Sequence, residues 1–121
     1  MMSTILALVR RALPRPPEPD SPETARQLAE FTASLSLFHF STCPYCRRVR
    51  RHLKRLNIEV ELRDINVSAA DRDVLVSGGG RATVPCLRIA RPAEGVTWMY
   101  ESADIVNWLT TEVDRIRRAT G

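Results

Sequence analysis

Two cysteines, Cys43 and Cys46, stand two residues apart at the head of a strongly basic segment, residues 40–56. A proline follows the first cysteine, and the apolar residues after the second recur at helical spacing, so a helix is expected to begin here. The first thiol would lie at the helix N-terminus, where unpaired N–H groups and the helix dipole favour an anion. With Arg47 and Arg48 nearby, its pKa should be lowered, which favours attack on disulfides. We predict that Cys43 attacks the substrate disulfide. Cys46, one turn further on and more buried, would then resolve the mixed disulfide.

The same helix divides into an apolar and a basic face. Cys46, Val49, Leu53 and Leu56 recur at core-facing spacing. The remaining surface must then carry the cations Arg47, Arg48, Arg50, Arg51, Lys54 and Arg55. No aromatic residues interleave with these charges to stack on bases, so a solvated face is favoured over a nucleic-acid site.

A zinc site is the alternative use of the two cysteines. Structural zinc requires four ligands, and only Cys86, His39 and His52 remain, with no second CxxC pair. The spacing therefore favours redox chemistry, and no metal is expected. Cys86 is predicted to turn into the core from a strand, and both histidines are expected to be structural.

The elements that must position the thiols alternate along the chain from residue 34. Strand patterns cover residues 34–40 and 59–65. Helical patterns cover residues 44–56 and the segment from Ser68 to the glycines 78–80. A hairpin then joins strands at 85–90 and 96–100, and Ser102 caps a last helix. This βαβαββα order predicts an α/β fold. We expect a four-stranded mixed sheet with helices on both faces, its first two strands parallel through a right-handed crossover.

The N-terminal part has a different composition. Residues 14–22 are rich in proline and are predicted to be a linker. Residues 1–13 follow helical apolar spacing, for which a frayed or self-packed terminus is favoured over a membrane or partner contact. Ser21 should cap a helix through about Ala33, packed by Ala25, Leu28 and Ala29. The predicted division is an N-terminal extension, 1–33, and a domain, 34–121.

Length and composition limit the classes of protein. The 121 residues suffice for one modest core plus an appendage, and the net charge of +4 is a weak indication of anionic partners. No apolar run approaches the roughly 20 residues that cross a bilayer. Three cysteines are an odd number and no secretory signal pattern is visible, so a reducing compartment, the cytoplasm, is expected.

Three motifs together carry a family resemblance. CPYC at 43–46, TVP at 83–85 and YESADIVNWL at 100–109 resemble a glutaredoxin, over residues 34 to about 116. The resemblance implies a thioredoxin-type fold and the reduction of mixed disulfides by glutathione. It also implies a cis peptide bond between Val84 and Pro85.

The resemblance further implies a glutathione groove. Tyr45 would flank the reactive sulfur, Thr83 would line the groove, and the Val84 backbone would pair with the tripeptide like an added strand. The turn before the last helix is more similar to the glutamate-serine turn of glutathione transferase N-terminal domains, so Ser102, with its helix N-terminus, and Glu101 are expected to hold the γ-glutamyl end. The implied set is Tyr45, Thr83, Val84, Pro85, Glu101 and Ser102. Phe40 stands where glutaredoxins usually carry lysine, and Arg47 or Arg81 is a candidate substitute.

The sequence thus predicts a glutathione-dependent thiol–disulfide oxidoreductase, with glutathione as reductant and co-substrate. Its other partners would be glutathionylated or disulfide-containing proteins, and a monomer is expected. The alternative is a noncatalytic carrier or adaptor that binds glutathione or an iron–sulfur cluster. A transferase that conjugates glutathione to electrophiles is disfavoured, because the chain leaves no room for the further helical domain of those enzymes.

Overall fold

In the computed structural model, residues 19–121 are described, and the predictions for residues 1–13 and for most of the linker lie outside them. Eight elements follow in chain order: α1 Pro22–Ala33, β1 Leu35–His39, α2 Pro44–Leu56, β2 Glu61–Asp64, α3 Ala69–Gly79, β3 Cys86–Arg91, β4 Gly95–Met99 and α4 Ser102–Thr120. The predicted order of strands and helices is confirmed. The strands at 34–40 and 59–65 were predicted one to two residues too long at their ends.

The four strands form one mixed sheet in the order β2-β1-β3-β4. Strand β1 pairs in parallel with β2 and antiparallel with β3, and β3 pairs antiparallel with β4. Parallel pairing of the first two strands requires α2 as the crossover, which brings the end of β1 next to the start of α2. This junction is where Cys43 lies.

Short-range hydrogen bonds fix the ends of two helices. The Ser21 hydroxyl accepts from the Thr24 N–H at 3.2 Å, and the Ser68 hydroxyl accepts from the Asp71 N–H at 3.1 Å. Helix α3 ends at Gly79 and is followed by the C-cap Gly80, whose φ of 89° suits a residue without a β-carbon. The capping signals read from the sequence are therefore confirmed at both helices.

The start of α4 differs from its prediction. Ser102 is the first helical residue rather than the cap, and the cap position belongs to Glu101. Glu101 has a φ of 68° and makes no side-chain capping hydrogen bond. A glutamate with a positive φ cannot be anticipated from a Glu-Ser sequence, since a positive φ ordinarily selects glycine.

Side chains from both faces of the sheet form two cores. Alternation along β1 sends Leu35 and Leu37 to one face and Phe38 to the other. The larger core lies under α1, α2 and α4, and the smaller one lies under α3, with Leu75 and Cys86 beside Phe38. Helices thus cover both faces, as the sequence predicted.

Helix α1 packs on α4. Leu28 is 6% exposed, and the rings of Phe31 and Trp108 lie 5.5 Å apart between centroids. Burial of one such leucine contributes about 1.5–3 kcal/mol. Ala25 and Ala29 were expected in this contact but are exposed, because Leu28 and Phe31 form the inward stripe instead. Over residues 19–121, none of the helices combines the length and apolar character needed to cross a membrane.

Candidate active site

Cys43 occupies the N-cap of α2. Its backbone is extended (φ −73°, ψ 121°), and its carbonyl accepts the first helical hydrogen bond, from the Arg47 N–H at 2.9 Å. Pro44 takes the first helical position, where no N–H is required, and the first turn contains no acidic residue. Only 6% of Cys43 is exposed, so the helix dipole acts on this thiol with little screening by water.

The pKa of Cys43 is lowered from its ordinary value although the residue is buried. Burial by itself raises this pKa, but the backbone N–H and the thiol of Cys46, the backbone N–H of Tyr45 and the charge of Arg50 together outweigh it. Neither N–H makes a capping hydrogen bond of ordinary geometry to the sulfur. They act as oriented dipoles beside a developing negative charge. The pKa of Cys43 is therefore shifted downward, as the sequence predicted.

Cys46 has the opposite character. It is fully buried on the inner face of α2, and burial raises its pKa to about 12, against the opposing effects of a backbone hydrogen bond from Phe40 and of the Arg50 charge. Its contact with the Cys43 sulfur raises the pKa further, because its proton stabilises the Cys43 thiolate. Both cysteines are free thiols. One thiol of the pair is thus prepared for ionisation and the other is kept protonated.

Arg50 is the cation that acts on both sulfurs, and the sequence did not single it out. Its guanidinium donates to Nδ1 of His39 at 3.0 Å, to the Phe40 carbonyl at 3.4 Å and to the Ser41 carbonyl at 3.0 Å. Burial, followed by the charge of Arg50, lowers the pKa of His39, which leaves the ring neutral and able to accept. Arg50 therefore ties the end of β1 and the loop before Cys43 to α2.

The assignment of the activating charge to Arg47 and Arg48 was wrong. Both point to solvent from the outer face of α2, where water screens their charges from the thiol. Arg50 lies four residues after Cys46 and directly after Val49, at the border between the apolar and polar faces. The position of Arg50 on the helix could be read from the sequence. Its hydrogen-bond partners on β1 and in the loop before Cys43 could not.

A groove with a volume of about 280 Å³ lies beside the cysteine loop. Its lining consists of Tyr45, Thr83, Val84, Pro85, Glu101 and Ser102, so the structure brings together the six residues that the resemblance implied for glutathione. Neither cysteine lines this groove, but Tyr45 forms one of its walls two residues after Cys43. Tyr45 is 64% exposed and is available to contact a ligand.

The second wall of the groove precedes β3. The peptide bond between Val84 and Pro85 is cis, which confirms the expectation from the resemblance. Pro85 is buried and Val84 is half-buried. Since β3 begins only at Cys86, the Val84 N–H and carbonyl lie outside the ladder that β3 forms with β1.

The N-terminus of α4 supplies the third wall. Ser102 is 9% exposed and Glu101 is exposed, and both line the groove. The positive φ of Glu101 turns the chain sharply from β4 into α4. Residues held in such sparsely populated conformations concentrate at functional sites, where the surrounding structure enforces them.

Arg47 and Arg81, the two candidates to replace the lysine that glutaredoxins usually carry at the position of Phe40, do not line the groove. The guanidinium of Arg81 lies 4.2 Å from the centroid of the Tyr100 ring, and the Tyr100 hydroxyl donates to the Arg81 carbonyl at 3.0 Å. Arg47 is exposed on α2. Arg50 is therefore the cation that the fold holds beneath the cysteine loop.

The third cysteine and His52 lie apart from this chemistry. Cys86 is fully buried, and burial raises its pKa to about 11, which is the environment of a core thiol. His52 bonds to the Thr110 hydroxyl at 2.6 Å. In residues 19–121, no group of three or more histidine, cysteine, aspartate or glutamate side chains is arranged to hold a metal ion.

Comparison with known proteins places these features in a family. The model for "Glutathione S-transferase, N-terminal domain" matches residues 37–115. Glutaredoxin 3 of Escherichia coli K12 is 32% identical over 53 residues, which are 44% of this chain and 64% of that protein. The match thus spans less than two thirds of this curated relative.

Solved structures show the same fold at low identity. Maleylacetoacetate isomerase from Anaeromyxobacter dehalogenans, with bound GSH in its active site, is 20% identical, with a TM-score of 0.52 over 67% of this chain and 38% of that one. Glutathione transferase Omega 2S from Trametes versicolor is 18% identical, with a TM-score of 0.55 over 69% and 38%. The chain belongs to the family of glutathione S-transferase N-terminal domains and has a thioredoxin-like fold with a glutaredoxin-like cysteine pair.

Proposed function

We propose that this protein is a glutathione-dependent thiol–disulfide oxidoreductase that reduces mixed disulfides and protein disulfides. One observation carries the proposal: the Cys43 pKa is lowered at the N-terminus of α2 while the Cys46 pKa is raised to about 12 one turn away. Reduction of a disulfide needs a thiolate that attacks, and a resolving thiol in the same protein has to stay protonated until the attack is complete. The two environments match these two roles.

The first step is the attack of the Cys43 thiolate on a disulfide. With a glutathionylated protein, the Cys43 sulfur bonds to the glutathione sulfur, the disulfide of the substrate breaks, and the substrate thiolate leaves and takes a proton from water. Arg50 holds the loop before Cys43, and the N–H groups of Tyr45 and Cys46 stabilise the thiolate before the attack. The product is a mixed disulfide between Cys43 and glutathione.

The second step regenerates Cys43. The thiolate of a second glutathione attacks the glutathione sulfur of the mixed disulfide, which releases oxidised glutathione and the Cys43 thiolate. For a protein disulfide, the first attack leaves Cys43 joined to one substrate sulfur. Cys46, as a thiolate, then attacks the Cys43 sulfur, the bond between Cys43 and the substrate breaks, and the second substrate thiolate leaves and takes a proton. Two glutathiones reduce the resulting Cys43–Cys46 disulfide and leave as oxidised glutathione. Burial is the main cause of the high pKa of Cys46, so deprotonation of Cys46 stays costly both before and after Cys43 forms the mixed disulfide. Resolution by glutathione should therefore be the faster route.

The groove provides the groups that glutathione needs. The Val84 N–H and carbonyl can pair with the backbone of the tripeptide, and Tyr45 can cover its cysteine. The N–H groups at the start of α4, with the Ser102 hydroxyl, suit the γ-glutamyl carboxylate. The Glu101 carboxylate suits the adjacent ammonium group.

The test is the steady-state reduction of a glutathionylated peptide by glutathione, with purified parent protein, Cys43→Ser, Cys46→Ser and Cys86→Ala. We expect Cys43→Ser to fall to the background rate, because it lacks the nucleophile. Cys46→Ser should retain turnover within about threefold, and Cys86→Ala serves as the matched thiol outside the site.

Absence of turnover in the parent would contradict the proposal and favour the carrier. Visible absorbance after anaerobic purification would then identify an iron–sulfur carrier. Equal turnover of Cys43→Ser and the parent would instead reject Cys43 as the nucleophile.

A further inference from the structure

The outer surface of α2 carries a continuous basic face next to the reactive thiol. This basic face consists of five exposed cations: Arg47, Arg48, Arg51, Lys54 and Arg55. None of them forms an ion pair with any residue in 19–121. Outside α2, five of the nine arginines in residues 19–121 do have carboxylate partners, namely Arg26, Arg63, Arg91, Arg115 and Arg117, and the other four do not.

Helix stability explains only the end of this arrangement, where Lys54 and Arg55 lie in the last turn beside the negative end of the helix dipole. Arg51 lies three or four residues from each of the other four cations, and each like-charge pair at such spacing costs about 0.2–0.5 kcal/mol. Arg47 and Arg48 also follow closely on the positive end of the helix dipole, where cations are disfavoured. An anionic partner would relieve both costs.

Activation of the thiol does not explain it either. The charge that lowers the Cys43 pKa is that of Arg50, which lies between the faces and is bonded to the loop. The five cations of the basic face point away into solvent. These charges are therefore available to contact a partner outside the described chain.

We infer that the basic face docks an acidic protein segment that flanks the disulfide to be reduced. The inference rests on the proposed function and names the substrate class of the same site. The basic face begins one turn from Cys43 and ends at Arg55, which lies about 18 Å from Cys43 along the helix axis at about 1.5 Å per residue. An extended peptide spans that distance with about five or six residues. The acidic residues should lie within about six positions of the target cysteine.

An acidic peptide fits better than a nucleic acid or a lipid surface. Between Arg47 and Arg55 no aromatic residue is available for bases to stack on, and His52 is half-buried against Thr110. The apolar residues of α2, Val49 and Leu53 among them, are buried in the core and cannot enter a membrane. The neighbouring thiol moreover requires a partner that carries a disulfide.

The experiment compares two glutathionylated peptides of equal length, with glutamates or glutamines on both sides of one cysteine. At about 20 mM salt we expect kcat/KM for the acidic peptide to exceed that for the glutamine peptide at least about tenfold. At about 500 mM salt the two values should converge, because screening shortens the range of charge interactions to a few ångströms. A ratio near one at low salt would overturn the inference and leave the proposed function intact.

Charge reversal tests the location of the site. Arg51→Glu with Arg55→Glu should remove the preference for the acidic peptide, judged by the ratio of the two rates. The control variant, Arg72→Glu with Arg118→Glu, changes the net charge equally at exposed positions on α3 and α4. It should retain the preference for the acidic peptide. Equal loss in both double variants would show a general charge effect and overturn the assignment to the basic face.

A binding measurement keeps the inference testable without turnover. In Cys43→Ser, fluorescence anisotropy should show at least about tenfold tighter binding of the acidic peptide than of the glutamine peptide at low salt. Lack of turnover with either peptide would contradict the proposed function, whereas equal binding of both would contradict the inference. Tighter binding of a labelled single-stranded RNA of equal charge would overturn it in favour of nucleic acid.

Discussion

The four helix N-termini of the described chain fall into two kinds. Helices α1 and α3 begin at Ser21 and Ser68, whose hydroxyls accept hydrogen bonds from the first turn. Helices α2 and α4 begin at Cys43 and Glu101, which make no side-chain capping hydrogen bond. The capped pair lies away from the groove, whereas the uncapped pair borders it. N–H groups without a capping side chain are thus concentrated where the proposed chemistry needs to hold anions.

The two uncapped N-termini also differ from each other. The first turn of α2 contains no acid and its cap residue has relaxed extended backbone, whereas α4 has Asp104 in its first turn and a strained Glu101. The start of α2 suits a thiolate generated within the protein. The start of α4, with a serine hydroxyl and nearby carboxylates, suits a zwitterion such as the γ-glutamyl end of glutathione.

The largest effect is expected at the start of α4. Ser102→Ala should raise the glutathione KM roughly ten- to a hundredfold, because the loss of a hydrogen bond to a charged group costs about 1.5–3 kcal/mol. Ser68→Ala is the matched control at a structural cap. It should lower the free energy of unfolding by about 1 kcal/mol and leave the KM unchanged. Equal KM values for Ser102→Ala and the parent would remove α4 from the site.

Arg50 tests the start of α2. Arg50→Met should raise the Cys43 pKa and lower the rate at pH 6.5 about three- to tenfold, since the thiolate fraction falls and the loop loses its ties. The loss should shrink as the pH rises, because the thiol ionises without help at high pH.

Arg72→Met removes the same charge from α3 and should not move the pH profile. A pH-independent loss in Arg50→Met would show that Arg50 holds the loop but does not act on the Cys43 charge.

Glu101→Gly should have the smallest effect on activity and a measurable effect on stability. Glycine adopts a φ of 68° without strain, so the free energy of unfolding in urea should increase by about 1 kcal/mol. The glutathione KM should rise about two- to threefold with the loss of the carboxylate. Glu101→Ala loses the same carboxylate and keeps the strain, so an equal gain in stability would contradict the attribution to backbone conformation.

The features of the fold that could be predicted from the sequence are those set by local signals. The Ser21 and Ser68 caps, the glycine end of α3 and the periodicity of α2 act over a few residues, and all are confirmed. The conformation of Glu101 depends on how β4 meets α4, and the direction of Arg50 depends on His39 and the loop. These interactions join residues that only the folded topology brings together.

The site shows the same division. The sequence and its family resemblance named six residues that the fold brings into one groove, and two of the motifs already grouped five of them locally. The source of the activating charge was misassigned, because the partners that fix Arg50, on β1 and in the loop before Cys43, are not visible in the sequence of α2. Only the packing of the helix decides which one turns toward the thiols.

The most direct test of the central claim is the alkylation rate of each cysteine against pH, measured by mass spectrometry on the native reduced protein. Cys43 should react with a midpoint below about 8.5, the ordinary value for a thiol, because its pKa is lowered. Cys46 should stay unreactive until the pH approaches about 12. Similar profiles for the two thiols, or an earlier reaction of Cys46, would contradict the division between attacking and resolving cysteine.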